Sequence, residues 1–168
     1  ASAGTLEGGA FTEVDVSDPL VAASAAEVNG TTFSTLDLSG GSDAITFDID
    51  FDGAASPTSV TIDSAAVTAY NTANSTTLDA SALTAQDVAD LINDQVGATV
   101  ASVNVGGDID ITSTTTGAAS NVTISSYSAT ATSGATGLAD ADEDGADASG
   151  DSITFSLSID GDTAITGN

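Results

Sequence analysis

The chain contains no lysine, arginine, histidine, cysteine, methionine or tryptophan. Without histidine, lysine or cysteine it has no ordinary base to activate a serine and no thiol nucleophile. Paired carboxylates hydrolyse glycosides, but that chemistry usually works in a concave site with aromatic platforms. Here aromatic residues make up 4% of the chain, and no Asp-Thr-Gly or Asp-Ser-Gly signature is present. Absent cysteines remove disulfides and thiolate metal sites together. Absent basic side chains exclude nucleic acid and anionic membranes as partners, because phosphate neutralisation needs Lys or Arg. Proteases that cut after Lys or Arg have no cleavage site. No apolar run approaches the ~18 residues of a membrane-spanning helix. The expectation is a protein that is not an enzyme, binds no nucleic acid and does not insert into membranes.

What is present is acid and small residues. The 168 residues include 25 Asp and Glu, for a net charge of −25. No side-chain ion pair can form, so the carboxylates repel one another and belong at the surface, screened by salt or bound cations. Hydrophobic residues nonetheless make up 40% of the chain, too many for a solvated acidic tail. They are largely Ala and Val, which predicts a thin core with Phe11, Phe33, Phe47, Phe51 and Phe155 as its largest members. Ala, Gly, Ser and Thr exceed half of all residues, a bias typical of secreted surface and filament proteins. The chain opens ASAGT, without Met or a basic leader segment, and reads as a processed chain or an excerpt of a longer one.

Along the chain, FTEVDV (11–16) is a short strand candidate. Asn29-Gly30, between β-prone residues, signals a two-residue hairpin, since both positions tolerate positive φ. In ITFDIDFD (45–52), Ile45, Phe47, Ile49 and Phe51 alternate with Thr46, Asp48, Asp50 and Asp52. That period of two marks a half-buried antiparallel strand. SVTID (59–63) reads as the next strand. A single helix is expected, over TAQDVADLINDQVG (84–97). Thr84 caps it, Asp87 lies near the capping-box position, and Val88, Leu91, Ile92 and Val96 form one stripe. Gly97 ends it. Gly106-Gly107 then joins TVASVNV (99–105) to DIDITST (108–114), and NVTISSY (121–127) follows as a strand. Residues 128–150 read as an acidic loop or linker.

The chain closes on SITFSLSIDGDT (152–163), again alternating. ITFDIDFDG (45–53) and ITFSLSIDG (153–161) match in frame, 108 residues apart, which predicts that a second unit begins near the end of the chain. The fold class predicted is mostly β (α+β): antiparallel hairpins packed on one short amphipathic helix, with the start of a second similar β unit. The segments are a β segment with hairpin (1–38), a β-α-β unit (39–127), the linker (128–150) and the first strand of the truncated repeat (151–168).

The order over residues 45–125 is specific: a strand ending in Asp-Gly, a second strand, a short helix, a glycine-turned hairpin and a closing strand. ITFDIDFDG and TAQDVADLINDQVGATVASVNVGGDIDITSTTTGAASNVTIS resemble the flagellin IN motif of flagellin outer domains and of hook-associated and filament-cap proteins. The resemblance covers about half the chain. It implies a solvent-exposed outer domain of an extracellular, cell-surface filament that serves motility, self-associating with neighbouring subunits, with a surface open to Ser or Thr glycosylation. The long helical terminal segments of flagellins are not in this sequence. Two other readings fit the same residues: a module of a calcium-stabilised surface adhesin, and a phage-tail or filament-cap component.

Candidate sites are few. Asp140, Asp142 and Asp144 precede Gly145, with Asp151 at the twelfth position, matching the start of a calcium loop. Position twelve lacks the bidentate Glu and neither flank reads as a helix, so a solvated interdomain linker is the competing reading. Asp48, Asp50 and Asp52 share a strand face at spacings of roughly 6.5–7 Å, too wide for one strand to chelate an ion. Sequons begin at Asn29, Asn74 and Asn121. No cofactor other than calcium is suggested.

Overall fold

A computed structural model describes residues 20–150 and the backbone of residues 155–157 and 165–167. The chain divides into two compact units, Ala23–Asp147 and a second drawn from Ala1–Ala22 and Ala148–Asn168. Described strand pairs are all antiparallel, and the fold is mostly β with two helices.

In the larger unit the alternating segment forms β3 (Ala44–Phe51), with β1 (Glu27–Asn29) and β2 (Ser34–Asp37) preceding it. β4 (Thr58–Asp63) follows, then helices α1 (Ser64–Asn74) and α2 (Ala85–Val96). Strands β5 (Ala101–Val103), β6 (Ile109–Thr112), β7 (Asn121–Thr130), β8 (Ser133–Ala135) and β9 (Ala141–Asp144) complete it. The main sheet has the order β4-β3-β7-β9; β1-β6-β5 and β2-β8 form two smaller sheets.

The predicted alternation holds in β3. Ile45, Phe47 and Ile49 are buried and Phe51 half-buried, while Thr46, Asp48 and Asp50 lie on the other face. Opposite Phe47 the β3–β7 register shifts and Ser126 takes a φ of 57°. This bulge accompanies the stacking of Tyr127 on Phe47, with ring centroids 6.2 Å apart. The core otherwise rests on aliphatic rather than aromatic residues. Leu36, Leu38, Ile45, Ile49, Val60, Ile62, Leu83, Leu91, Ile92, Ile109, Ile111 and Ile124 are its largest fully buried side chains, and Phe33 is only half-buried.

Helix α2 forms as its sequence dictates. The Thr84 side chain accepts from Asp87 N–H and the Asp87 carboxylate accepts from Thr84 N–H, a complete capping box. Gly97 ends it at a φ of 75°, its N–H donating to the Asn93 carbonyl. Val88, Ala89, Leu91 and Ile92 are buried, with Val96 half-buried.

Four expectations are corrected. The Asn29-Gly30 hairpin does not form: β1 pairs with β6 and β2 with β8. Gly30 serves close packing instead, since a Cβ there would lie 2.2 Å from the Ile109 carbonyl oxygen. A second helix, α1, is present; Asp63 caps it by accepting from Ala66 N–H, and only Val67 is buried in it. The segment read as a linker, 128–150, holds the end of β7, all of β8 and β9, and the buried Thr136 and Leu138. Of the five Phe expected as the largest core members, Phe47 is buried, Phe33 and Phe51 are only half-buried, and Ile and Leu fill most of the core. By contrast, the Gly106-Gly107 hairpin forms as expected, pairing Val103 with Ile109.

In the smaller unit, β10 (Phe155–Leu157) pairs with β11 (Ile165–Gly167). Phe155–Leu157 is the counterpart, 108 residues on, of Phe47–Ile49, which also pairs with the strand that follows it. The rest of the segment expected to begin a second copy, the 11–16 strand candidate and Phe11 lie outside the described residues.

Burial of the α2 stripe predicts that Leu91→Ala lowers the unfolding free energy by about 2–5 kcal/mol in urea denaturation. Val105→Ala, at the fully exposed tip of the β5–β6 hairpin, changes it by less than about 0.5 kcal/mol. Equal effects of the two would contradict this core.

Candidate functional site

The reactive side chains available are carboxylates, hydroxyls, carboxamides and two tyrosines. Many of the carboxylates placed in the fold accept from uncharged donors. Asp52 sits at the end of β3 with a φ of 57°, a left-handed conformation that Asp tolerates better than most residues. Its carboxylate accepts from Asn121 N–H at 2.9 Å, Thr115 Oγ1 at 2.8 Å and Ser113 Oγ at 3.1 Å. The Asn121 N–H and then the Thr115 hydroxyl hold Asp52 below the ordinary carboxylate range. Asp48 accepts from Ser59 Oγ and Asp50 from Ala54 N–H, so the acidic face of β3 is knit into its own neighbourhood.

The candidate calcium residues lie elsewhere than in a loop. Residues 141–144 are strand β9, paired with Asn121–Ile124 of β7. Asp142 and Asp144 converge, but the point where they meet is filled by a side-chain amide of β7. Asn121 Nδ2 donates to Asp142 Oδ1 at 2.8 Å and to Asp144 Oδ1 at 3.0 Å. Thr123 Oγ1 also donates to Asp142, and Asp140 accepts from Tyr127 N–H. The Asn121 amide, followed by the Thr123 hydroxyl, lowers the pKa of Asp142. Asp151 lies outside the described residues. Among the described residues no three His, Cys, Asp or Glu come together to hold a metal ion.

The sequons separate on the same criterion. Asn121 spends its amide nitrogen on three oxygens, so glycosylation there would disrupt the side-chain part of the β7–β9 link. Asn29 and Asn74 are exposed. A groove of about 740 Å³ between α1, α2 and β5 is lined by Tyr70, Asn74, Gln86, Asp90, Asn93 and Asp94, among others. Burial, then Asp90, Asp94 and Asp87, raise the Tyr70 pKa, which leaves its phenol a poor base or nucleophile. Asn93 is committed to structure, donating to Ala101 O and accepting from Val100 and Ala101 N–H. Gln86 is bonded to Asp90.

Sequence reasoning missed these structural amides. Asn71, Asn93, Gln95, Asn104 and Asn121 each hold separate backbone segments or carboxylates. Isolated Asn and Gln residues give no periodic signal. The hint was an absence: with no cations, carboxamides and hydroxyls are the side-chain donors left.

Compared with known proteins, the chain matches no family model, no curated protein and no solved structure. Among the described residues no helix is long and apolar enough to cross a membrane.

The lowered pKa of Asp52 has a defined sign. Its stabilisation is fully present above the unfolded value of about 3.9 and is lost as pH falls through the lower folded value. Asp52→Asn keeps the left-handed backbone and one acceptor but removes the charge. Its melting temperature should fall below wild type at pH 7 and converge with it near about pH 2. A difference that persists unchanged at low pH would contradict this role.

Proposed function

We propose that this chain is a non-enzymatic, solvent-exposed outer domain of an extracellular flagellar filament protein, contributing surface and inter-subunit contacts to motility. The observation that carries the reading is the pairing of Ser24 with Ala146, whose backbones bond at 2.8 Å. The larger unit is entered and left at one place, the geometry of a module inserted into a surface loop of a host. Adjacent ends of this kind let a body be added to a polymer subunit without disturbing the parts that polymerise.

The resemblance of residues 45–125 to the flagellin IN motif supports the same reading. So does the strand–strand–helix–hairpin–strand order over those residues, with α1 added between β4 and α2. The surface adds a third support. Carboxylates that accept from neutral internal donors remain charged and solvated, which suits a salt-tolerant coat. The role is passive, and no reaction is assigned to it.

The test is excision from the parent polymer. Filaments whose subunits lack residues 24–146 should still assemble and be narrower in electron micrographs. Antibody raised against 23–147 should decorate intact filaments along their whole length. Failure of wild-type subunits to polymerise overturns the reading. Tip-only decoration moves it to a cap or tail component, and chelator-sensitive melting to a calcium-stabilised adhesin.

A further inference from the structure

We propose that the β4 edge of the main sheet is a latent self-association surface, and that Gln95 holds it shut against a second copy of this chain. The two edges of that sheet are β4 and β9. An edge strand offers unpaired N–H and C=O groups that template further pairing unless something blocks them. β9 is blocked by charge, because Asp142, Glu143 and Asp144 would face the same residues of another copy. β4 has no such guard. Thr58, Ser59, Val60, Thr61 and Ile62 are uncharged, and Asp63 is occupied as the cap of α1.

On this neutral edge an amide takes the place of a strand. Gln95 Nε2 donates to Thr61 O at 2.9 Å, and Gln95 Oε1 accepts from Thr61 N–H at 2.9 Å. In an antiparallel sheet both polar groups of one residue point to the same side. The carboxamide therefore reproduces the two bonds that a hydrogen-bonded residue of an incoming strand would make. It reaches Thr61 from α2, which also contacts β4 through the core, so the latch is carried by a fixed element.

The occupant that fits is β4 of a second copy. Pairing antiparallel about a two-fold through Thr61 sets Thr61 against Thr61, Ile62 against Val60 and Asp63 against Ser59, with no carboxylate opposite another. Every other acidic surface of a chain with net charge −25 resists such an approach. Releasing Gln95 thus opens a route to pairing that charge does not oppose locally and that salt promotes.

Sedimentation velocity of Gln95→Ala tests this at low salt and at about 1 M NaCl, where long-range repulsion is screened. The expected result is a monomeric wild type and a Gln95→Ala dimer whose fraction grows with salt. Adding Thr61→Pro, which removes the N–H, should return the variant to monomer. In the wild type, the Thr61 amide should exchange hydrogen about tenfold or more slowly than the exposed hairpin-tip amide of Val105. A Gln95→Ala protein that stays monomeric at both salts overturns the proposal, as does a dimer that survives Thr61→Pro. Rapid exchange of Thr61 in the wild type overturns it without any variant.

Discussion

Every aspartate and glutamate in this chain has to be accommodated without a single basic side chain. A folded protein ordinarily pairs some of its carboxylates with Arg or Lys. Here the partners are backbone N–H groups, hydroxyls and carboxamides. Asp43 is held by Gly40 N–H and by both donors of Thr132; Asp108 accepts from Phe33 N–H, and Asp147 from Ala118 N–H. Gly30 N–H and Asn104 Nδ2 converge on Asp110. The Gly40 and Asn104 bonds are local, but those from Thr132, Phe33, Ala118 and Gly30 join segments far apart in sequence, so these carboxylates act as acceptor clamps for the chain's crossings. A hydrogen bond to a charged acceptor is stronger than a neutral one, which offsets part of the mutual repulsion.

The same constraint explains which parts of the fold could be read in advance. Elements built on apolar periodicity were legible: β3 from its alternation, α2 from its stripe and caps, the β5–β6 hairpin from Gly106-Gly107. Elements built on backbone pairing and acceptor clamps were not. Strand β9 is Ala-Asp-Glu-Asp, with no apolar alternation, and exists because its main chain pairs with β7 while Asn121 ties down its side chains. Helix α1 buries one residue, so its sequence carries almost no stripe; Asp63 ahead of a run of small helix-tolerant residues was its one signal. Gly30 looked like a turn residue because sequence cannot distinguish a glycine needed for positive φ from one needed for close approach. Residues 141–144 of the candidate calcium segment form a strand for a related reason. Spacing in sequence specifies a loop only if the segment has no strand to pair with.

Charge and amide also divide the work of keeping copies apart. The acidic edge at β9 repels its like, and the neutral edge at β4 is closed by Gln95. A module displayed many times on a polymer faces high local concentrations of itself, where an open edge becomes a hazard. On the proposed function, the acidic edge and the sealed neutral edge keep sheet-to-sheet pairing out of the contacts that neighbouring subunits make.

At the clamped aspartates local hydrogen bonds oppose global repulsion and outweigh it. Repulsion within a body of charge −25 would by itself raise carboxylate pKa values. Donors at Asp37 (the Ser39 hydroxyl and N–H), Asp79 (the Ser81 N–H and hydroxyl), Asp52 and Asp142 lower them. A pH titration of side-chain carboxyl ¹³C shifts, at low ionic strength, separates the two effects residue by residue. These four aspartates should titrate below the ordinary aspartate value of about 3.9. Midpoints at or above that value would mean that repulsion governs the carboxylates and that the clamps do not hold the fold.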